Sequence, residues 1–138
     1  MTVFAPFIYL GRKLKMSLAE EISKAIGAHG MWKQRLRNAI DAGKSEFTPD
    51  TVAKDNACDF GQWLYGNSLS AVDKGCAEYK AVKDLHAKFH QCASGVLKWA
   101  VTGKKADAET MMGTAGSFTT ASGELTRAMM TWKAKAAK

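Results

Sequence analysis

Apolar residues recur at steps of three and four along most of the chain, the spacing of helices that bury one face. The first such stretch runs over about 18–41 and carries Leu18, Ile22, Ala25, His29, Trp32, Leu36 and Ala39. Ser17 and Glu20 stand where a capping box would start it, and Gly43 where it would end. A loop containing Pro49 follows. Asp55 is placed to cap a short second helix, about 56–66, which holds Cys58, Phe60, Trp63, Leu64 and Tyr65. The third helix, about 77–102, shows the stripe Tyr79, Val82, His86, Phe89, Ala93, Val96 and Ala100, and Gly103 stops it. The fourth, about 106–135, has Asp107 near its positive end. It shows an unbroken seam of Ala108, Met111, Ala115, Phe118, Ser122, Leu125, Met129 and Trp132. Gly113, Gly116 and Gly123 each cost about 1 kcal/mol against Ala inside a helix, so close neighbouring backbone is expected beside them. No stretch alternates β-branched residues in the manner of a strand. The pattern predicts an all-α fold, an antiparallel four-helix bundle with one short helix.

A chain of 138 residues has room for one domain. With 46% hydrophobic and 24% charged residues, disorder and disulfide-scaffold readings fall away. The helical pattern occupies 17–138 and leaves 1–16 as an N-terminal tail. Residues 3–10 form an apolar run of eight, short of the roughly 20 that span a membrane. A secretory signal carries its positive charges ahead of such a run, whereas Arg12, Lys13 and Lys15 follow it. Two readings stand for this segment: a tail, as an extension ahead of a start at Met16, or contact of residues 3–15 with a membrane surface.

The formal net charge is +7. A basic balance points toward nucleic acid or anionic lipid, but between the two termini acids and bases are mixed. The charge therefore reads as a solvated surface, with no nucleic acid as partner. Three cysteines, Cys58, Cys76 and Cys92, with no signal sequence, place the chain in a reducing cytoplasm.

Candidate chemistry gathers on few residues. His86 and His90 are four apart in a helix, so both rings lie on one side and can grip one ion. The zinc-protease motif would need Glu after the first His; Ala87 stands there. The remaining histidine, His29, lies on the apolar face of the first helix, where a satisfied core residue is the ordinary reading. Cys58 begins the second helix, whose positive end favours a thiolate. Three imidazoles and one thiolate would fill a tetrahedral zinc site and leave no open position. Cys92 points about 160° away from His90 around the helix. It and Cys76 read as fillers or surface thiols.

Cys58-Asp59-Phe60-Gly61-Gln62-Trp63-Leu64-Tyr65-Gly66 resembles the central signature of the chemoreceptor zinc-binding (CZB) domain family. His29 followed by Trp32 is similar to that family's first-helix motif, and His86 to His90 to its third. The resemblance spans about 17–135, in the family's order and spacing. It implies a four-helix bundle, often a homodimer, with zinc as cofactor held by His29, Cys58, His86 and His90. Trp32, Phe60, Gly61 and Trp63 would form the supporting shell. It also implies a sensor of zinc or of oxidants such as hypochlorous acid, with Cys58 as the redox-sensing residue. Members occur in chemoreceptors and on diguanylate cyclases, so a chemoreceptor or cyclic-di-GMP signalling protein would be the partner. Here no cyclase motif and no receptor signalling hairpin accompany the module, which reads as a stand-alone form without enzymatic activity. Two other classes remain open on the residues. One is a zinc-stapled or basic helical interaction domain. The other is a metal hydrolase, disfavoured because it needs an open coordination position and a nearby base.

Overall fold

The computed structural model describes residues 16–137, and in them the only regular structure is helical. The readings made for residues 1–15 lie outside this range. The elements are α1 (Leu18–Gly30), α2 (Trp32–Ala42), α3 (Pro49–Val52), α4 (Asp59–Tyr65), α5 (Ala71–Gly75), α6 (Ala77–Val101), α7 (Lys105–Met112) and α8 (Ser117–Ala136).

Helix α6 is the axis of the molecule. It packs against α8, α2, α7 and α3, while α1 lies on α8. Every residue of its stripe, from Tyr79 to Ala100, is buried. The core adds Ile22, Leu36, Leu64, Leu125, Met129 and Trp132, each at most 2% exposed. The bundle is thus three long rods, with short α4 set beside the histidines, which lie near the middle of α6 and at the junction of α1 and α2. It is helical throughout, as the periodicity predicts.

The ends of the elements follow local chemistry. Ser17 accepts from the Glu20 amide while the Glu20 carboxylate accepts from the Ser17 amide, the reciprocal bonds of a capping box. Gly43 and Gly103 stop helices with φ of 73° and 81°, the left-handed backbone that glycine takes without a Cβ penalty.

Three expectations are corrected. The first rod is two helices, because the amide of Met31 bonds to Ala28, three residues back, in a tightened turn beside Gly30. The predicted fourth helix is also two, α7 and α8. Gly113 and Gly116 have extended backbone, and a Cβ on Gly116 would lie 2.2 Å from the Met111 carbonyl oxygen. These glycines serve a tight turn, not the approach of another helix. At Gly123 a Cβ would meet only the Arg127 side chain. Ala115, expected on the seam, is exposed in that turn, and Met111 and Ser122 are half-buried. Last, Asp55 does not cap the second helix. Cys58 is its N-cap, and the Asp55 carboxylate instead accepts a bond from the Tyr65 hydroxyl.

Candidate metal centre

Three helices, α1, α4 and α6, bring one ligand atom each, or two, to a single point. His29 lies on the last turn of α1, Cys58 caps α4, and His86 and His90 are one turn apart on α6. Their ligand atoms all lie within 4.8 Å of one another. His86 Nε2 is 3.0 Å from His29 Nε2 and 3.1 Å from His90 Nε2. Cys58 Sγ is 3.4 Å from His86 Nε2, 3.6 Å from His90 Nε2 and 4.0 Å from His29 Nε2.

These separations can be set against tetrahedral zinc. Bonds of about 2.05 Å to nitrogen and 2.3 Å to sulfur give edges of roughly 3.3 Å between nitrogens and 3.6 Å between sulfur and nitrogen. Five of the six edges differ from these by up to about 0.4 Å, and the sixth, between His29 and His90, lies within 4.8 Å. The donors therefore stand almost where zinc would need them.

The hydrogen bonds outside the cluster set the direction of the lone pairs. His29 Nδ1 is 2.8 Å from the Ala25 carbonyl oxygen, and His90 Nδ1 is 2.8 Å from the Val52 carbonyl oxygen. A carbonyl can only accept, so both Nδ1 atoms carry the proton and both Nε2 atoms aim bare lone pairs inward. This is the outer support that metal-binding histidines use. His86 Nε2 faces both lone pairs, and its Nδ1 is buried with no partner among the described residues. A cation at the centre would give all three lone pairs an acceptor.

Cys58 is held by its own helix. Its Sγ accepts from the Gly61 amide at 3.3 Å. Gly61 is compelled by close packing, since a Cβ there would stand 1.7 Å from the Asp55 carbonyl oxygen. Burial pushes the Cys58 thiol up from its ordinary value, while the Gly61 and Phe60 amides pull the other way. Burial also drives His29 down to about 4, and the coulombic effects of His90 and Arg35 push it further in the same direction against the bond to Ala25. His86 is lowered further by burial and by its two histidine neighbours. The imidazoles are thus kept neutral, the state a metal requires.

The supporting residues divide. Phe60 sets its ring against His29 and His86 with centroids 5.7 and 5.2 Å away. Trp63 stacks on Phe60 and meets Trp132 behind it. Trp32 instead packs at a tilt against Phe47 beside the cluster, under the Arg35 guanidinium. Cys76 caps α6, where its sulfur accepts from the Tyr79 amide, and Cys92 is half-buried against the core; the metal-type cluster includes neither. The Val52 carbonyl was not foreseen. Thr48 followed by Pro49, a capping residue and a first-turn proline, was the signal for the short α3 that presents it.

No helix among the described residues is long and apolar enough to cross a membrane. No curated protein and no solved structure matches the chain significantly. The family model described as the chemoreceptor zinc-binding domain matches residues 29–97, half of the chain, a span that begins at His29 and contains Cys58, His86 and His90. With the same four residues brought to one point by the fold, the chain belongs to the chemoreceptor zinc-binding domain family.

Proposed function

We propose that His29, Cys58, His86 and His90 hold one zinc ion, and that the module reports the state of that site to a signalling partner. The observation that carries this reading is the closure of three imidazole nitrogens and one sulfur, all within 4.8 Å, in a chain of the zinc-binding family. Four protein donors complete a tetrahedron and leave no position for a substrate, so the reading is of a sensor and not of an enzyme.

Bound zinc would lock Cys58 as thiolate and join α1, α4 and α6. Hypochlorous acid is the oxidant this reading assigns. The thiolate sulfur attacks it, a sulfur–oxygen bond forms, the oxygen–chlorine bond breaks, and chloride leaves; sulfur is oxidised to sulfenic acid and chlorine is reduced. The oxidised sulfur is a poorer donor, so α4 loses its tie to the metal and its cap on the Gly61 amide is disturbed, leaving mainly the packing of Phe60 on the histidines to hold it. The reading includes self-association, a family habit, and a cytoplasmic chemoreceptor or cyclic-di-GMP protein as the receiver. The α8 face of Phe118, Leu125, Met129 and Trp132 is already buried within the chain, so a second copy would use other surface.

The second reading is a zinc staple with no sensing role. It draws support from the depth of the cluster, where His86 is 0% and His90 2% exposed. Sub-stoichiometric hypochlorous acid followed by mass spectrometry separates the two. The sensor reading expects oxidation at Cys58 ahead of Cys76 and Cys92, with zinc released. Oxidation elsewhere first, with zinc retained, leaves the staple.

A further inference from the structure

The ligand cluster is closed on one side and open on another. His86 is fully buried and lies at the back. His29, Cys58 and His90 form the floor of a cleft of about 370 Å³ bounded by α1, α3 and the start of α4. That volume falls in the range of small-molecule sites, roughly 300–1,000 Å³. One wall is the pair Trp32 and Phe47, with the Arg35 guanidinium 4.9 Å from one ring centroid and 5.4 Å from the other. Around the mouth stand Lys24, Arg35 and Lys54 against Glu21 and Asp59.

This surplus of cations is the wrong field for a bare divalent ion. Three cations against two carboxylates leave the mouth at a net charge of +1, which disfavours a bare divalent ion at this face of the cluster and favours a carboxylate. We propose that the cleft is the port through which zinc enters and leaves, and that it receives zinc on a small carboxylate-bearing chelator. The inference rests on the reading that the four residues hold zinc. The Lys24, Arg35 and Lys54 side chains take the carrier's carboxylates, and Trp32 and Phe47 flank its carbon frame. In loading, zinc–carboxylate bonds break as bonds to His29 Nε2, His90 Nε2, His86 Nε2 and Cys58 Sγ form. The Cys58 proton passes to solvent, and no electron moves.

The test uses the zinc-loaded full chain and two chelators: nitrilotriacetate, which is anionic, and tris(2-pyridylmethyl)amine, which is neutral. Rates of zinc removal are followed by stopped flow. The wild-type rate rises with nitrilotriacetate concentration. The double variant Lys24→Glu/Lys54→Glu slows removal by nitrilotriacetate about tenfold at low salt, the low end of steering effects. It leaves removal by the neutral amine unchanged, and the difference fades in molar salt, where the screening length is about 3 Å. A second variant, Ala28→Phe, fills the exposed wall of the cleft and slows both chelators while one zinc per chain is kept. Wild-type rates in both variants, or removal independent of chelator concentration, overturn the port and leave the zinc site standing. A wild-type chain that takes up no zinc overturns the site itself, and the port with it.

Discussion

His90 donates from Nδ1 to the carbonyl oxygen of Val52 across 2.8 Å, so a residue of the ligand cluster on α6 also fastens α3. Ser94, one turn further along α6, donates to the Pro49 carbonyl oxygen at 2.8 Å. Besides the packing of Val52, these are the bonds that hold a four-residue helix flanked by loops. A metal held by His90 Nε2 would fix the orientation of the His90 ring and hence the anchor of α3.

Removal of zinc is therefore expected to loosen the segment around α3 before the rest of the bundle. Hydrogen exchange of the Val52 and Ala53 amides, which bond only within α3, should quicken more than tenfold on chelation. Amides near Val96 and Ala100, deep in the core, should stay protected. Uniform quickening along the chain would contradict a local anchor.

The two crowded glycines give a paired test. Gly61→Ala drives a Cβ into the Asp55 carbonyl oxygen, and Gly116→Ala drives one into the Met111 carbonyl oxygen. Both should lower unfolding stability, by about 2–4 kcal/mol each. Only Gly61→Ala should also weaken zinc binding, by more than tenfold, because its amide positions Cys58 Sγ. Equal zinc affinity in the two variants would show that Gly61 has no part in placing the sulfur.

The metal-free chain should lose stability in mild acid. In the fold, burial holds His29 at about 4, with His86 and His90 also lowered, whereas an unfolded histidine titrates near 6.5. The unfolded state then binds more protons below about pH 6.5, and stability falls as pH drops from there toward the folded values. The window between pH 6.5 and 5 lies above most carboxylate titration. His29 and His86, whose folded values lie below this window, each contribute roughly 1–2 kcal/mol of loss there. Urea midpoints of the stripped protein at pH 7.5, 6.0 and 5.0 check this; a constant midpoint would contradict it.

Much of this was legible in the residues. The α6 stripe and the capping box follow from spacing and type alone, because helix faces and caps are local. The four clustered residues could be named because two histidines share a turn and the other donors belong to a recurring motif. What failed was non-local or conformational. The Gly113–Gly116 turn hid inside a seam whose apolar spacing runs on across it, so the period could not show that Ala115 leaves the bundle. Asp55 resembled a cap, but Cys58 took that role because its sulfur reaches the Gly61 amide. Thr48 and Pro49 mark the short α3, but the role of the Val52 carbonyl depends on where that segment lands against α6.

The central claim is that one zinc ion sits among His29, Cys58, His86 and His90. X-ray absorption at the zinc edge of the loaded full chain tests it most directly. The account predicts three nitrogen scatterers at about 2.0 Å and one sulfur at about 2.3 Å, with the sulfur shell lost in Cys58→Ala and kept in Cys76→Ala and Cys92→Ala. A shell of light atoms without sulfur in the wild-type chain, or a sulfur shell that survives Cys58→Ala, would contradict it.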